Sequence, residues 1–335
     1  MALPWHREQL ERVVAGKARL PHALLIQGPA GIGKLEFARA LGKALLCETP
    51  TGESMACGGC RACGWLEQGF HPDFRLLEPE SLAEKGEEEG GEKKASLHIA
   101  VEQVRGLTDF VNLSSHRGRA KVIVIHPAEA MNPNAANALL KNLEEPPPAT
   151  YFLLVSHRWH HLLPTIKSRC QQIALPVPEA RTAQAWLAEQ VTENAELALA
   201  QPGGAPLLAA RFDAEYWAQR KSFLGALSAA DFDPLRAAEQ FHDLPIPGVV
   251  RWLQQWSYDV ALRGHGDKPR YNPDLADAIA HAAQKAEKLE VLRFHRQMLR
   301  WQRVVNHPLN PRLFLESLLL SYAELLRGRA RRQAA

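Results

Sequence analysis

The run GPAGIGK, which begins at Gly28, has the composition and spacing of a loop that holds nucleotide phosphates. Gly28, Gly31 and Gly33 leave room for backbone N–H groups to approach phosphate oxygens. Lys34 would supply positive charge to the β- and γ-phosphates. A working loop continues with a Ser or Thr whose hydroxyl binds Mg²⁺, but the next residue here is Leu35. The loop is therefore predicted to keep the phosphate cradle and to lack the metal ligand.

A second departure lies at the end of the predicted strand Lys121–Ile125. In a nucleotide hydrolase this strand ends in an Asp that holds Mg²⁺, followed by a catalytic Glu. The chain has His126 and Pro127 there, and neither offers an anionic oxygen to a magnesium ion. Glu129 lies too far along and is expected to face solvent. We therefore predict no ATP hydrolysis, while nucleotide binding without hydrolysis stays open because Lys34 and the glycines are present.

Four of the five cysteines fall within seventeen residues and form a candidate metal site: Cys47, Cys57, Cys60 and Cys63. Two successive C-x₂-C steps allow pairs of thiolates to bind one metal from a tight turn. Four thiolates complete the closed tetrahedral shell of a structural Zn²⁺ and leave no position for a catalytic water. Zinc is the prediction. An iron–sulfur cluster uses the same ligands and is the chemical rival, and ordinary buried thiols are the less favoured alternative.

The composition is that of a globular protein, with 335 residues, 46% hydrophobic and 23% charged, a length that suits two or three domains. The net charge of +3 is too small to indicate a nucleic acid or membrane partner. No run approaches the roughly 20 apolar residues of a membrane helix, and the first residues lack the apolar stretch of a signal peptide. We expect a cytoplasmic protein with reduced cysteines.

Apolar runs alternate with helical patterns in the first half, which predicts a parallel sheet covered by helices on both faces. The predicted strands are Ala23–Gln27, Phe74–Leu77, Lys121–Ile125, Tyr151–Val155 and Gln172–Leu175. The predicted helices are Lys34–Leu46, Ile99–Val111 and Asn132–Glu145. The last of these has Asn132 as its N-cap, Pro133 in its first turn and Pro146–Pro148 after its end.

From Glu179 onward the spacing is helical only, with buried stripes predicted at Val249, Trp252, Trp256 and Val260 and at Leu315, Leu318, Leu319 and Tyr322. We predict a nucleotide-binding-fold domain over 1–175 with the metal module at 47–63, a small helical domain over 176–212, and an all-helical domain over 213–335. Residues 84–94 contain only Glu, Lys and Gly and are predicted to be a mobile surface insertion. The basic C-terminal residues Arg327, Arg329, Arg331 and Arg332 are predicted to be solvated.

Several motifs together resemble the bacterial sliding-clamp loader subunits of the AAA+ superfamily. They are NAANALLKNLEEPP at Asn134–Pro147, the four-cysteine insertion after the glycine-loop helix, SRC at Ser168–Cys170, and the Gly-rich run at Gln201–Ala205. The resemblance implies an α/β AAA+ P-loop domain with an inserted zinc module, a small helical lid domain and an all-helical C-terminal collar domain that assembles with other subunits.

Within that family, the departures favour a subunit that does not hydrolyse ATP. The ATP-hydrolysing tau/gamma subunit keeps the loop hydroxyl, the Asp-Glu pair and an Arg in the sensor-2 helix, where this chain has Ala205 and Pro206. The resemblance implies a non-catalytic subunit of a DNA polymerase holoenzyme. Its implied partners are tau/gamma and delta subunits in a heteropentamer and, indirectly, the β sliding clamp and primer–template DNA.

The SRC motif carries the implied active role. Judged from the residues alone, an Arg before a strand is usually a surface or salt-bridge residue. The resemblance instead implies that Arg169, flanked by Ser168, acts as an arginine finger on ATP bound by a neighbouring subunit. Ser156 occupies the implied sensor-1 position, although a plain hydroxyl at a strand end is nearly as consistent with the sequence.

Two other functions remain as alternatives. The surviving loop glycines and Lys34 could belong to an active AAA+ ATPase with atypical metal ligation, which Mg²⁺-dependent hydrolysis by the purified chain would reveal. The cysteine cluster and the basic C-terminal residues could instead belong to a zinc-dependent DNA-binding module. That alternative predicts salt-sensitive DNA binding by the chain alone.

Overall fold

The computed structural model describes residues 2–52, 55–82, 96–113, 115–116, 119–191, 194–305 and 310–333, with side chains described as far as Leu326. The predicted mobile insertion at 84–94 and the side chains of the basic C-terminal residues lie outside this part. The chain divides into two compact units, residues 1–183 and 184–335. The finer division into three domains stays a prediction.

The first unit is built on a parallel sheet whose strands, among the described residues, follow the order β2-β3-β4-β1-β5. The strands are β1 (Ala23–Gln27), β2 (Phe74–Leu77), β3 (Lys121–Ile125), β4 (Thr150–Ser156) and β5 (Gln171–Ala174). The first three have the predicted bounds, and the last two differ from the prediction by one residue at each end. Every pairing is parallel, so the carboxyl ends of all five strands meet at one edge of the sheet.

Helices connect the strands of this unit, as expected of a parallel sheet, and the first α-helix precedes the first strand. They are α1 (Arg7–Ala15), α2 (Lys34–Leu46), α3 (Arg61–Glu67), α4 (Val101–Asn112), α5 (Pro133–Glu144), α6 (Pro164–Lys167) and α7 (Ala180–Ala188), which runs across the division between the units. Asn132 caps α5 as predicted, because its side-chain oxygen accepts a hydrogen bond from the backbone N–H of Ala135 at 2.8 Å.

Both faces of the sheet are covered. One face packs against α4 and α5 through alternate strand residues such as Leu25, Ile123 and Leu154. The helix α2 contacts β3 and β4 and buries Phe37 and Leu41. Burial on both sides explains why the central strands are continuous apolar runs rather than alternating ones.

The second unit contains no strand among the described residues, as predicted. Its helices are α8 (Ala195–Ala200), α9 (Pro206–Ala209), α10 (Ala214–Ser228), α11 (Pro234–Phe241), α12 (Ile246–Gly264), α13 (Ala276–Lys285), α14 (Lys288–Trp301) and α15 (Pro311–Gln333). Both predicted apolar stripes lie in its core. The two stripes meet where Trp256 Nε1 donates a 2.9 Å hydrogen bond to the buried hydroxyl of Tyr322.

A buried polar cluster in the second unit was not predicted from the sequence. The carboxylate of Asp259, fully buried, accepts hydrogen bonds from the backbone N–H groups of Arg270, Tyr271 and Asn272. The guanidinium of Arg220 binds Asp274 through two hydrogen bonds of 2.8 Å. These bonds fix the loop before α13 against α10 and α12. Within the described part of the chain, no helix is both long enough and apolar enough to cross a membrane.

Candidate functional site

The glycine-rich loop lies between β1 and α2, at the carboxyl edge of the sheet. Gly31 and Gly33 have φ values of +75° and +91°, a backbone region that residues with a Cβ rarely adopt. A Cβ at Gly28 would lie 2.3 Å from the carbonyl oxygen of Leu175. The loop therefore needs its glycines for its own conformation. This observation explains their presence whether or not a phosphate binds.

Lys34 points into the loop rather than away from it. Its ammonium donates a hydrogen bond to the carbonyl of Pro29, and the residue is only 2% exposed. Burial lowers the pKa of Lys34 to about 8, while the charges of Glu129 and Glu36 act in the opposite direction. The ammonium group that would bind phosphate is thus hydrogen-bonded within its own loop.

The N-terminal segment packs directly against the loop, which the sequence did not predict. Leu3 Cδ1 lies 2.1 Å from the position that a Cβ on Gly33 would take. Trp5 Nε1 donates a 2.8 Å hydrogen bond to the carbonyl of Ile32. His6 is buried beside them, and burial, with the nearby charge of Lys34, lowers its pKa to about 4.

His126, the residue that follows β3, is paired with the carboxylate of Glu78. Its Nδ1 lies 2.7 Å from Glu78 Oε1, and both side chains are 14% exposed. Its ring meets that of His157 edge to face at 5.3 Å. Burial and the charge of Lys34 lower the pKa of His157 to about 4, so this ring is neutral at neutral pH. The carboxylate of Glu78, beside the strand end, is therefore already engaged by His126.

The expectation that Glu129 faces solvent is wrong. Glu129 is half-buried, and its carboxylate accepts hydrogen bonds of 3.0 Å from the backbone N–H groups of His157 and Arg158. Those donors follow β4, so Glu129 joins the ends of two neighbouring strands. Ser156, the implied sensor-1 residue, is fully buried, and its hydroxyl has no hydrogen-bond partner among the described residues.

The SRC motif lies between α6 and β5, and its three side chains have different surroundings. Cys170 is buried, and burial raises the pKa of its thiol to about 12, which makes it an inert anchor. The Ser168 hydroxyl donates to the carbonyl of Thr165 at 3.0 Å. Arg169 is half-buried, donates to the same carbonyl at 2.9 Å and forms an ion pair with Glu144 at the end of α5. The backbone thus fixes the motif while Arg169 stays accessible.

The four cysteines predicted to bind metal come together next to α2 and α3. Their sulfur atoms all lie within 4.8 Å of one another, and the sulfurs of Cys47 and Cys60 are 3.9 Å apart. Zn–S bonds of about 2.3 Å in a tetrahedron place sulfurs roughly 3.8 Å apart. Four cysteines in this arrangement could hold a metal ion. Arg119 fixes the end of α2 by donating to the carbonyl of Cys47 at 2.7 Å.

The surroundings of the four sulfurs shift the pKa values of their thiols in different directions. The Thr49 hydroxyl donates to the Cys57 sulfur at 3.2 Å, and with the backbone N–H groups of Gly59 and Cys60 it lowers the pKa of Cys57 to about 6. Burial instead raises the pKa of Cys63 to about 12. A buried thiol of that kind becomes a thiolate when a metal replaces its proton. The donor set therefore fits a structural metal.

A family profile described as "DNA polymerase III, delta subunit" matches residues 6–179, and one described as "DNA polymerase III, delta subunit, C terminal" matches residues 214–324. The chain is 39% identical to DNA polymerase III subunit delta' of Pseudomonas aeruginosa, over 96% of this chain and 97% of that protein. It is 34% identical to DNA polymerase III subunit delta' of Escherichia coli, over 84% and 82% of the two chains. A gamma-subunit-related protein from Thermotoga maritima superposes with a TM-score of 0.48 at 21% identity, covering 96% of this chain and 99% of that one.

Proposed function

This chain belongs to the DNA polymerase III delta-prime subunit family, and from that premise we propose that it is a non-hydrolysing stator subunit of the bacterial sliding-clamp loader. It acts in DNA replication by completing an ATP site on a neighbouring subunit, so that the β clamp is loaded onto primed DNA. The observation that carries the proposal is an accessible arginine in an intact SRC motif, in a chain whose glycine-rich loop lacks the side-chain oxygen that would bind the metal.

The absence of intrinsic hydrolysis is supported on both sides of the loop. Leu35 has no oxygen for Mg²⁺, and His126 and Pro127 replace the Asp and Glu. The nearby carboxylates of Glu78 and Glu129 are engaged by His126 and by backbone N–H groups. With these carboxylates engaged and no side-chain oxygen at positions 35, 126 and 127, the site lacks the ligands that would hold Mg²⁺ against the β- and γ-phosphates.

Arg169 is the residue that we assign to the neighbour's ATP. A guanidinium offers five N–H donors in a planar fork and can bind two phosphate oxygens at once. The buried Cys170 and the short helix α6 hold its backbone, and the side chain is 34% exposed. Arg169 is therefore an accessible cation on a rigid backbone, which is what an arginine finger acting on ATP of another subunit requires.

The partners in this proposal are tau/gamma and delta subunits in a heteropentamer, with the β clamp and primer–template DNA contacted through the assembly. Residues 213–335 are assigned to the collar that docks onto the other subunits. The cytoplasm is the proposed location. Cys47, Cys57, Cys60 and Cys63 would hold a structural Zn²⁺, which would fix the segment between α2 and β2 and take no part in the ATP chemistry.

The test is ATP hydrolysis by the reconstituted clamp loader containing either the wild-type chain or Arg169→Ala. We expect the isolated chain to show negligible turnover and the substitution to lower turnover in the complex. The loss should be on the order of 10³-fold at the site that Arg169 serves and partial in the whole complex. Arg181→Ala removes an exposed arginine from the start of α7 and is the matched control. Equal activity with wild-type and Arg169→Ala chains would refute the assignment.

The same preparations discriminate the two alternatives. Mg²⁺-dependent hydrolysis by the purified chain, abolished by Lys34→Ala, would establish an atypical ATPase. Salt-sensitive binding of DNA by the chain alone would support a DNA-binding module.

A further inference from the structure

Arg169, the proposed finger, is engaged by its own chain in this structure. Its Nη2 pairs with the Glu144 carboxylate, and its Nη1 donates to the carbonyl of Thr165 at 2.9 Å. The Ser168 hydroxyl lies 3.5 Å from the same Nη1. Glu144 is the last residue of α5, so the acid and the arginine come from different elements that meet beside the SRC motif.

The ion pair between Glu144 and Arg169 is open to solvent and easily broken. The two side chains are 47% and 34% exposed. Ion pairs of this kind change an equilibrium constant by roughly 1.5- to 5-fold. The helix α5 does not stabilise the negative charge of Glu144, because the carboxyl-terminal end of a helix repels an anion. Arg169 thus supplies the favourable contact that holds this carboxylate in place.

A phosphate group cannot share Arg169 with Glu144 without conflict. A forked contact uses two guanidinium nitrogens, but Glu144 holds Nη2 and the Thr165 carbonyl holds Nη1. A carboxylate beside the guanidinium would also repel the negative oxygens of a triphosphate. Since Glu144 is exposed at a helix end, it can swing away when a stronger anion arrives. The two anions therefore compete for Arg169.

We propose that Glu144 is a positioning residue. Its ion pair with Arg169, called the clasp below, holds the arginine in the unengaged subunit and breaks when Arg169 binds the nucleoside triphosphate of the neighbouring subunit. The inference rests on the proposed function of Arg169. It predicts that the clasp raises the ATP concentration needed to engage the finger and leaves the chemical step unchanged once Arg169 is on the phosphate.

The test compares ATP hydrolysis by the reconstituted loader over a range of ATP concentrations, with wild-type chain, Glu144→Gln, Arg169→Ala and the double variant. Glu144→Gln keeps the shape of the side chain and removes its charge. We expect it to lower the apparent KM for ATP by about 1.5- to 5-fold with kcat unchanged. The double variant should behave as Arg169→Ala does, because Glu144 can form no ion pair with position 169 once the arginine is removed.

Glu145→Gln is the matched control. Glu145 is the exposed neighbour of Glu144 and carries the same charge, and it makes no ion pair within the described part of the chain. It should match wild type. Circular dichroism of each variant would verify that it is folded.

The outcomes separate the clasp from the proposed function. A loss of kcat in Glu144→Gln, as in Arg169→Ala, would overturn the clasp by making Glu144 part of the engaged site. An unchanged KM would overturn it too, and so would the same fall in KM with Glu145→Gln. If Arg169→Ala itself behaves as wild type, the proposed role of Arg169 fails. If Arg169→Ala is impaired while Glu144→Gln is silent, only the clasp fails.

Discussion

The ammonium of Lys34 donates a hydrogen bond to the carbonyl of Pro29 within the same glycine-rich loop. In a working loop this lysine reaches the β- and γ-phosphates. Here the lysine is buried and hydrogen-bonded to the backbone. Leu3 and His6 lie against Gly33 of the same loop, and Trp5 is hydrogen-bonded to Ile32. Any nucleotide would have to displace the hydrogen bond between Lys34 and Pro29 before it could use the charge.

Restoring the missing hydroxyl should not restore hydrolysis. Leu35→Thr supplies one possible Mg²⁺ ligand, but His126 and Pro127 still offer no carboxylate, and Lys34 is still bound to its own loop. We expect the purified variant to release phosphate from ATP no faster than Leu35→Ala, in assays with and without Mg²⁺. Turnover that required both Mg²⁺ and Lys34 would contradict this expectation and support the atypical ATPase.

Gly28→Ala should destabilise the first unit more than backbone strain alone can. The new Cβ would lie 2.3 Å from the Leu175 carbonyl oxygen, which cannot move without shifting the segment after β5. Gly69→Ala is the control, because Gly69 has a φ of +81° and open space around it. Strain of that kind costs about 1–2 kcal/mol, and Gly28→Ala should exceed it. Urea unfolding midpoints would measure both, and equal effects would contradict the predicted clash.

The folded state should lose stability as the pH falls from 6.5 towards 4, partly through His6. The pKa of His6 is about 4 in the folded chain, against 6.5 for an unperturbed histidine. The unfolded chain therefore binds the proton first, and the folded state loses free energy over that window. Between pH 7 and 5 the loss from this one group is about 2 kcal/mol.

The variant His6→Leu should remove that part of the pH dependence, measured as the free energy of unfolding in urea at each pH. Leu10→Ala also disturbs the buried core of the first unit, but it changes no titratable group. It should lower the free energy of unfolding by the same amount at every pH. A pH dependence in His6→Leu as steep as in the wild type would exclude His6 as its source.

Removal of metal should destabilise the chain through the four clustered cysteines. We expect about one zinc per chain by elemental analysis and a lower thermal midpoint after chelation. Binding at a hundred times the Kd stabilises the folded state by about 2.7 kcal/mol. Cys63→Ser should abolish both effects, whereas Cys170→Ser replaces a buried cysteine outside the cluster and should retain them. If the purified chain showed the absorption bands of an iron–sulfur cluster, the zinc assignment would be wrong and the cluster would be the cofactor of this site.

Local sequence patterns were sufficient for several of the elements that position the site, but not for α6, which precedes Arg169. The bounds of β1, β2 and β3 were predicted from apolar runs, and the start of α5 from Asn132 and Pro133. Caps, breakers and apolar periodicity act within a few residues of the chain, so the chemistry that sets these boundaries can be read without knowing the fold. The proximity of the four cysteines followed from their spacing for the same reason.

The sequence by itself also determined which metal ligands are missing near the glycine-rich loop, because the side chains of Leu35 and His126 carry no oxygen in any conformation. Only the tertiary structure decided how the remaining groups are used. In the folded chain, Glu78 is paired with His126, and Glu129 accepts hydrogen bonds from the backbone after β4. Glu144 forms an ion pair with Arg169. These partners lie 48, 28 and 25 positions apart along the chain. Their contacts depend on how the sheet brings its strand ends and helices together, and no local pattern encodes that arrangement.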